Sequence, residues 1–431
     1  MRITLLALAL VLALTPPLRA QDAITLNRAL TTVIERYPSL DAAKAEIDAA
    51  GGRTMQSESA RMLHISAYAQ YNYLSFRPYV AFPSFPSLYE TISNSYTSSV
   101  SAQQLLSDFG RTDAIIALAR SGELSARDAL EQARYQLGYE TIQVFYGVIL
   151  LHSSINVADE EIKALEEAER ISKQKLGGGS ATRFDVLTTQ VRLSNAKNRI
   201  TDIKAALEKQ EARFRQLLGL DPEANVVLLG DFGPPPSIPS LADAITQGIE
   251  NRPEMKLAKD SATSANLKVD VVNKKDRPVI AASGAAGLED AQMPNLYSNH
   301  TYFAGAVSVS VPLFTGRRTE GEKIEARAQL RTADARVAEL HRMIATDISD
   351  AISDLKAALS RVRSTDMLVD QAQEALLLAK SRYENGVITT FELLDAQSSA
   401  RSAELNRLQT RFDCVIAGKA LERATGQAPK P

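Results

Sequence analysis

From Arg317 to Tyr383 the apolar residues keep a seven-residue period. Ile348, Leu355, Val362, Val369, Leu376 and Tyr383 form one row, and Ile344, Ala351, Ala358, Thr365, Ala372 and Ala379 form the next. Bulky side chains on one row and small ones on the other are the two seam positions of a coiled-coil heptad. A sustained period of seven implies a left-handed supercoil. Leu130, Leu137, Val144, Leu151, Ala158 and Leu165 repeat the stripe between Arg111 and Leu176. The pattern predicts two helices, 111–176 and 317–383, each about 100 Å long at ~1.5 Å per residue.

Elsewhere the period falls to two. His64 to Tyr73 alternates, with His64, Ser66, Gln70 and Asn72 on one face. A polar, aromatic loop (76–93) separates it from a second strand, Asn94 to Leu105, giving a β-hairpin over 62–105. Further on, Pro278 to Gly287 is a weaker strand and Tyr302 to Pro312 a strong one, a hairpin over 278–313. In the latter Phe303, Val307, Val309 and Val311 oppose Ser308 and Ser310. Apolar outside and polar inside suits a transmembrane barrel strand, and equally a soluble hairpin half-buried on another layer.

Each long helix ends in a tight turn, at Gly177-Gly178-Gly179-Ser180 and at Glu384-Asn385-Gly386. A return helix then opens at Thr182 or Thr389, with Asp185 or Glu392 at N3, the pattern of a capping box. The return helices extend over 183–218 and 389–424, and opening helices are expected over 25–60 and 240–274. Each long helix is thus matched by two half-length ones.

These elements occur twice because the sequence is duplicated. Leu26–Lys44 returns 215 positions later at Leu241–Lys259, with eight of 19 positions identical, and 179–190 returns 207 positions later at 386–397. The expected organisation is a first repeat over 21–219, a Pro-rich linker over 220–240, a second repeat over 241–424 and a tail over 425–431.

Composition narrows the compartment. Arg2, the apolar run Leu5 to Leu14 and the small residue closing Leu18-Arg19-Ala20 make residues 1–20 a signal peptide for export. Gln21 in place of Cys gives no lipidation signal. Beyond it no apolar stretch approaches the ~20 residues of a membrane helix, the longest run being Val144 to Leu151. Entry into a membrane would have to be as strands. Forty-nine basic against 51 acidic residues, net −2, give no basis for nucleic-acid binding. The single cysteine, Cys414, excludes an internal disulfide and sits beside Val415 and Ile416, as a packing residue would. His64, His152, His300 and His341 are far apart, without metal-ligand spacing. No nucleophile–base set is recognisable, so neither a cofactor nor enzymatic catalysis is expected.

Four strands cannot close a barrel, since the smallest membrane barrels use about eight. An open edge in lipid leaves backbone groups unpaired. The chain must therefore pool its strands with copies of itself. A soluble periplasmic adaptor or coiled-coil scaffold is the main rival, but it would carry one helical hairpin between β-rich domains, not two hairpins and few strands.

The duplicated halves, the hairpin between long helices and the Gly-x-x-Thr-x-Phe-[Asp/Glu]-x-Leu-x-x-Gln turn resemble the TolC family of outer-membrane efflux proteins. Leu105-Leu106-Ser107-Asp108-Phe109-Gly110-Arg111 and Pro312-Leu313-Phe314-Thr315-Gly316-Arg317 match that family's strand-to-helix junctions. The resemblance covers nearly all of the mature chain. It implies a mainly α fold with a small β part: a long antiparallel α-helical coiled-coil barrel beneath a trimeric, 12-stranded transmembrane β-barrel to which each chain gives four strands. It further implies an outer-membrane duct of a tripartite efflux pump or type I secretion system, reaching into the periplasm. The implied partners are outer-membrane lipid, a periplasmic adaptor (membrane fusion protein) and an inner-membrane pump or ABC exporter. Carried over residue by residue, Glu392 and Asp395 match the channel constriction, and Asp185 and Tyr383 match a hydrogen-bond network at the closed tip. Gly179, Thr182, Gly386 and Thr389 form the tip turns. Thr188 replaces the second acid in the first repeat, and Ile388 stands where some members carry a gate arginine. Glu392 also has a local role available, as a helix cap.

Overall fold

The computed structural model describes residues 23–73, 75, 79–82, 85–90, 94–289 and 300–429; the expected signal peptide and the last two residues of the tail lie outside them. The order is α1 (Leu26–Arg36), α2 (Pro38–Ser59), β1 (His64–Tyr73), β2 (Tyr79–Phe82), β3 (Phe85–Glu90), β4 (Asn94–Ser107), α3 (Arg111–Gly177) and α4 (Arg183–Leu218). It continues with α5 (Leu241–Asn251), α6 (Pro253–Asn273), β5 (Val279–Glu289), β6 (His300–Ser310), α7 (Arg318–Glu384) and α8 (Thr390–Ala424). The two long helices have 67 residues each.

Three expectations need correction. The opening helices are each broken in two, at Tyr37 and at Arg252, whose ψ angles are 126° and 127°. The cause is the proline that follows, Pro38 or Pro253, which pushes the preceding residue out of the helical region while itself opening a new helix. Second, the loop at 76–93 contains a short hairpin, β2 with β3, paired Tyr79 to Glu90, Val80 to Tyr89 and Phe82 to Phe85. Its Tyr, Phe and Val content favours extended backbone. Third, α3 carries an 18-residue window of mean hydropathy 1.3, apolar enough by length and composition to cross a membrane. Ile142, Phe145 and Val148 on this helix are buried, but only 39% of the window is buried within the chain, so core packing accounts for part of the apolarity.

The described residues divide into two compact units, and each draws on both repeats: one falls within 43–130 and 254–340, the other within 23–42, 131–253 and 341–429. The first, the strand unit, contains β1, β4, β5 and β6. The turn after α6 is tied to α7 by Lys275 Nζ donating to both Glu322 carboxylate oxygens at 2.6 Å and by Lys323 Nζ donating to Asp276 at 3.0 Å.

In the second, the tip unit, the heptad seam is buried over part of its length. Ile344, Ile348, Leu355, Ala358, Val362 and Val369 of α7 are buried, whereas Ala372, Leu376 and Tyr383 further along are half-buried. The Pro-rich linker lies against this unit. Phe232 stacks on Tyr146 with centroids 6.3 Å apart. A Cβ on Gly418 would come within 2.7 Å of Pro236 Cγ, so the linker needs a glycine beneath it. The tail also packs, with the Tyr139 hydroxyl donating to Gln427 O at 2.9 Å, while the Tyr135 hydroxyl donates to Arg423 O at the end of α8.

Candidate functional site

Two features carry functional geometry: the four-stranded sheet of the strand unit and the two helix turns of the tip unit.

The sheet runs β1-β4-β5-β6, antiparallel throughout. Residues paired across an antiparallel ladder share a face, so the register separates the two sides. One row reads Ala67, Val100, Ala286 and Phe303; the rows beside it bring in Ile65, Tyr71, Leu288, Val307 and Val309. Opposite them stand Ser66, Gln70, Asn72, Ser101, Ser283, Tyr302 and Ser308. The polar face bonds to itself: Gln70 Nε2 donates to Asn72 Oδ1 at 2.7 Å, and Ser66 and Ser101 share a hydrogen bond of 2.8 Å. No described residue covers the apolar face. Phe303 is 84% exposed, Val307 69%, Tyr71 67% and Ile65 66%. Such a contiguous apolar face marks contact with lipid or protein. Strands β1, β5 and β6 have 10, 11 and 11 residues, the length a tilted membrane strand requires.

Junctions join sheet to helix in both repeats. Asp108 accepts from the Thr112 N–H at 2.7 Å and the Gly110 N–H at 3.2 Å, starting α3. Gly110 and Gly316 occupy the same place in each repeat, with φ of 87° and 62°, a conformation glycine adopts without steric strain.

The tip turns are also repeated in atomic detail. The Ser180 N–H donates to Lys175 O and the Val387 N–H to Arg382 O, both at 2.9 Å. These are the wrapping bonds of a Schellman-type helix end, each with a left-handed glycine, Gly179 or Gly386, at φ 73°. Thr182 and Thr389 then cap α4 and α8. The Thr389 N–H and hydroxyl donate to Glu392 Oε2 at 2.7 and 2.9 Å, and the Glu392 N–H returns to Thr389 Oγ1 at 3.3 Å. Thr182 and Asp185 repeat the box at 2.8, 2.7 and 3.3 Å. Glu392 thus performs the local capping available to it, and the bonds from Thr389 hold its carboxyl below the usual range.

The other site candidates fall nearby. The Tyr383 hydroxyl shares a hydrogen bond of 3.3 Å with Thr390 Oγ1, so within one chain its described partner is Thr390 and that of the Asp185 carboxylate is Thr182. Asp395 is exposed one turn beyond Glu392 and borders a groove with Arg192, Arg199 and Arg401. Among the described residues no basic nitrogen comes within ion-pair distance of it, because Arg199 pairs with Glu161 and Arg401 with Glu160 and Glu404. Sequence reasoning missed Lys175, whose Nζ lies 3.8 Å from the Tyr383 ring centroid and joins the end of α3 to the end of α7. It also missed Arg192, 5.3 Å over the Phe391 ring. Only the matching tip positions of the two repeats could have suggested these contacts. Among the described residues no cluster of three or more His, Cys, Asp or Glu side chains could hold a metal ion.

The family model for outer membrane efflux proteins matches residues 29–220 and 244–427. Outer membrane efflux protein BepC of Brucella suis is 25% identical over 77% of this chain and 72% of its own length. Alkaline protease secretion protein AprF of Pseudomonas aeruginosa is 22% identical over 77% and 70%. The outer membrane protein VceC of Vibrio cholerae has the same fold, with a TM-score of 0.77 at 19% identity over 93% of this chain and 96% of VceC. Two matched halves, an antiparallel sheet with one bare apolar face and a pair of capped helix tips agree on one conclusion: this chain belongs to the outer membrane efflux protein family, the outer-membrane channels that serve as exit ducts for efflux and type I secretion.

Proposed function

We propose that three copies of this chain close a twelve-stranded barrel in the outer membrane, with their long helices continuing it as a periplasmic tunnel. The observation that carries this reading is the β1-β4-β5-β6 sheet, apolar on one face, polar on the other and, among the described residues, unpaired at both edges. The apolar face meets lipid, the polar face lines the pore, and neighbouring copies satisfy the edges. The duct is passive; transport energy comes from an inner-membrane pump or ABC exporter, engaged through a periplasmic adaptor at the tip turns.

At the tip, Glu392 and Asp395 are the constriction, with Asp185 and Tyr383 bonding across subunits to keep it closed. The two acids lie three residues apart on α8 and so share a helix face. Three copies place six carboxylates around one passage, which favours cations and resists anions. Native mass spectrometry of detergent-extracted outer membranes tests the assembly: a trimer is expected, and a water-soluble periplasmic monomer would refute it.

A further inference from the structure

Among the described residues the sheet ends on two unpaired edges, β1 and β6, and the alternation of its faces restricts how they can meet. On both strands the odd-numbered residues stand on the apolar face: Ile65, Ala67 and Tyr71 on β1, Phe303, Val307 and Val309 on β6. A seam between β6 and β1 of a second copy must pair odd with odd, because a slip of one residue would turn an apolar row into the pore. The permitted registers therefore differ by two residues.

Barrel geometry selects among them. The Cα partners lead straight across the sheet from His64 through Gln103 and Ser283 to Ala306. On closure Ala306 meets a residue displaced along β1 of the next copy, and the displacement per four strands sets the tilt, whatever the number of copies. With ~3.3 Å per residue and ~4.7 Å between strands, displacements of two, four and six residues give tilts of about 19°, 35° and 46°. Closed membrane barrels tilt by roughly 35–45°. Six residues would also bring Pro312, which has no N–H, opposite His64. Four residues set all 10 residues of β1 against β6, from His64 with Ser310 to Tyr73 with Thr301.

We propose that β6 pairs with β1 of a second copy in the register that sets Tyr71 opposite Phe303 and Ile65 opposite Val309. Apolar residues then meet apolar ones, with Ala67 facing Val307, while Ser66 meets Ser308 and Asn72 meets Tyr302 on the pore side. Beyond the strands the same register brings exposed Met62 and Leu63 against Pro312 and Val311, beside Leu313, which is 92% exposed in one chain. The inference rests on the reading of the chain as a self-assembling channel and specifies the seam.

Disulfide trapping tests it. In a Cys414→Ser background, which removes the one native thiol, Tyr71→Cys is combined with Phe303→Cys, and Ile65→Cys with Val309→Cys. Two comparison variants combine Ile65→Cys with Val307→Cys or with Val311→Cys, the neighbouring registers. Directly opposed Cα atoms lie ~4.5–5.5 Å apart, within disulfide reach, whereas diagonal neighbours at roughly 7–8 Å exceed the ~7 Å limit. Oxidation in isolated outer membranes is expected to give covalent oligomers from the first two variants and none from the comparison variants. Bridging in a comparison variant instead would overturn the register. An intact oligomer by native mass spectrometry with no bridging in any variant would overturn the seam, and a monomer would overturn the channel reading itself.

Discussion

Thr365 of α7 and Thr410 of α8 meet hydroxyl to hydroxyl at 2.9 Å inside an otherwise apolar seam. Each is also within bonding distance of its own helix, Thr365 of Arg361 O at 2.8 Å and Thr410 of Asn406 O at 3.0 Å. Val362 O and Arg407 O also lie within reach, at 3.1 and 3.0 Å, so neither hydroxyl is stranded if its partner is removed. Thr365→Val or Thr410→Val alone should destabilise by about 1 kcal/mol, the net value of one hydrogen bond. The double variant should cost about as much as either single one, since the shared bond is lost once and neither remaining hydroxyl is stranded. Denaturant titration of the four proteins in detergent measures the coupling.

Gly248 of α5 is a close-approach glycine. A Cβ there would come within 2.6 Å of Ile348 Cδ1 and 3.0 Å of Ala424 O. Gly248→Ala should cost about 1–3 kcal/mol through overpacking. Gly51 of α2 has nothing within 4 Å of the same position, so Gly51→Ala should stabilise by up to about 1 kcal/mol through helix propensity. Apparent Tm values that move in the same direction for both would contradict this contrast.

The sequence disclosed these elements unevenly, for physical reasons. The long helices and capped tips were legible because they depend on local signals repeated in two copies: a heptad period, Gly179 and Gly386 at left-handed φ, and Thr-x-x-Asp or Thr-x-x-Glu caps. The strand faces were legible because alternation is a period-two signal. The kinks at Tyr37 and Arg252 were readable in Pro38 and Pro253, but the apolar pattern runs straight through both prolines. The hairpin β2–β3 falls in a stretch without alternation, where composition alone favours extended chain. The Lys175–Tyr383 contact joins residues 208 positions apart, and no local rule links such residues. The pairing of Asp260 with Asp128 is similarly invisible before α6 is placed on α3.

That acidic pair gives a pH signature. Burial first, and then the hydrogen bond and like charge of Asp128, push Asp260 up to about 6. A raised carboxyl means that the folded state binds the proton more tightly than the unfolded chain. Stability should therefore increase as pH falls through about 6, and level off near the unfolded value of about 3.9. Asp260→Asn should remove this slope and stabilise by about 1 kcal/mol at neutral pH, after discounting for solvent screening. Thermal melts between these limits, wild type against variant, provide the check. A wild-type melt that falls with acidification across this window would contradict the pairing.

Glu392 has two roles assigned to it, as cap of α8 and as part of the constriction, and substitutions can separate them. Thr389→Ala removes the cap hydroxyl but leaves the carboxylate, so it should destabilise the tip by about 1 kcal/mol with cation preference retained. Glu392→Gln keeps an acceptor for the Thr389 N–H but removes the charge, as in the Gln form of a capping box. Together with Asp395→Asn it should lower the melt less than Thr389→Ala does and reduce cation preference in planar bilayers, with conductance rising as ion–wall interactions weaken. The pH dependence has a definite sign. Because Thr389 holds the Glu392 carboxyl below its usual range, its charge and its share of the cap are present above that range. Both are lost only as pH falls through the depressed folded value. The share of the Glu392 carboxylate in the cap should therefore persist under acidic conditions that would neutralise an ordinary glutamate. If Glu392→Gln with Asp395→Asn leaves both selectivity and conductance unchanged, the six carboxylates do not line the narrow passage, and Glu392 serves only to start its helix.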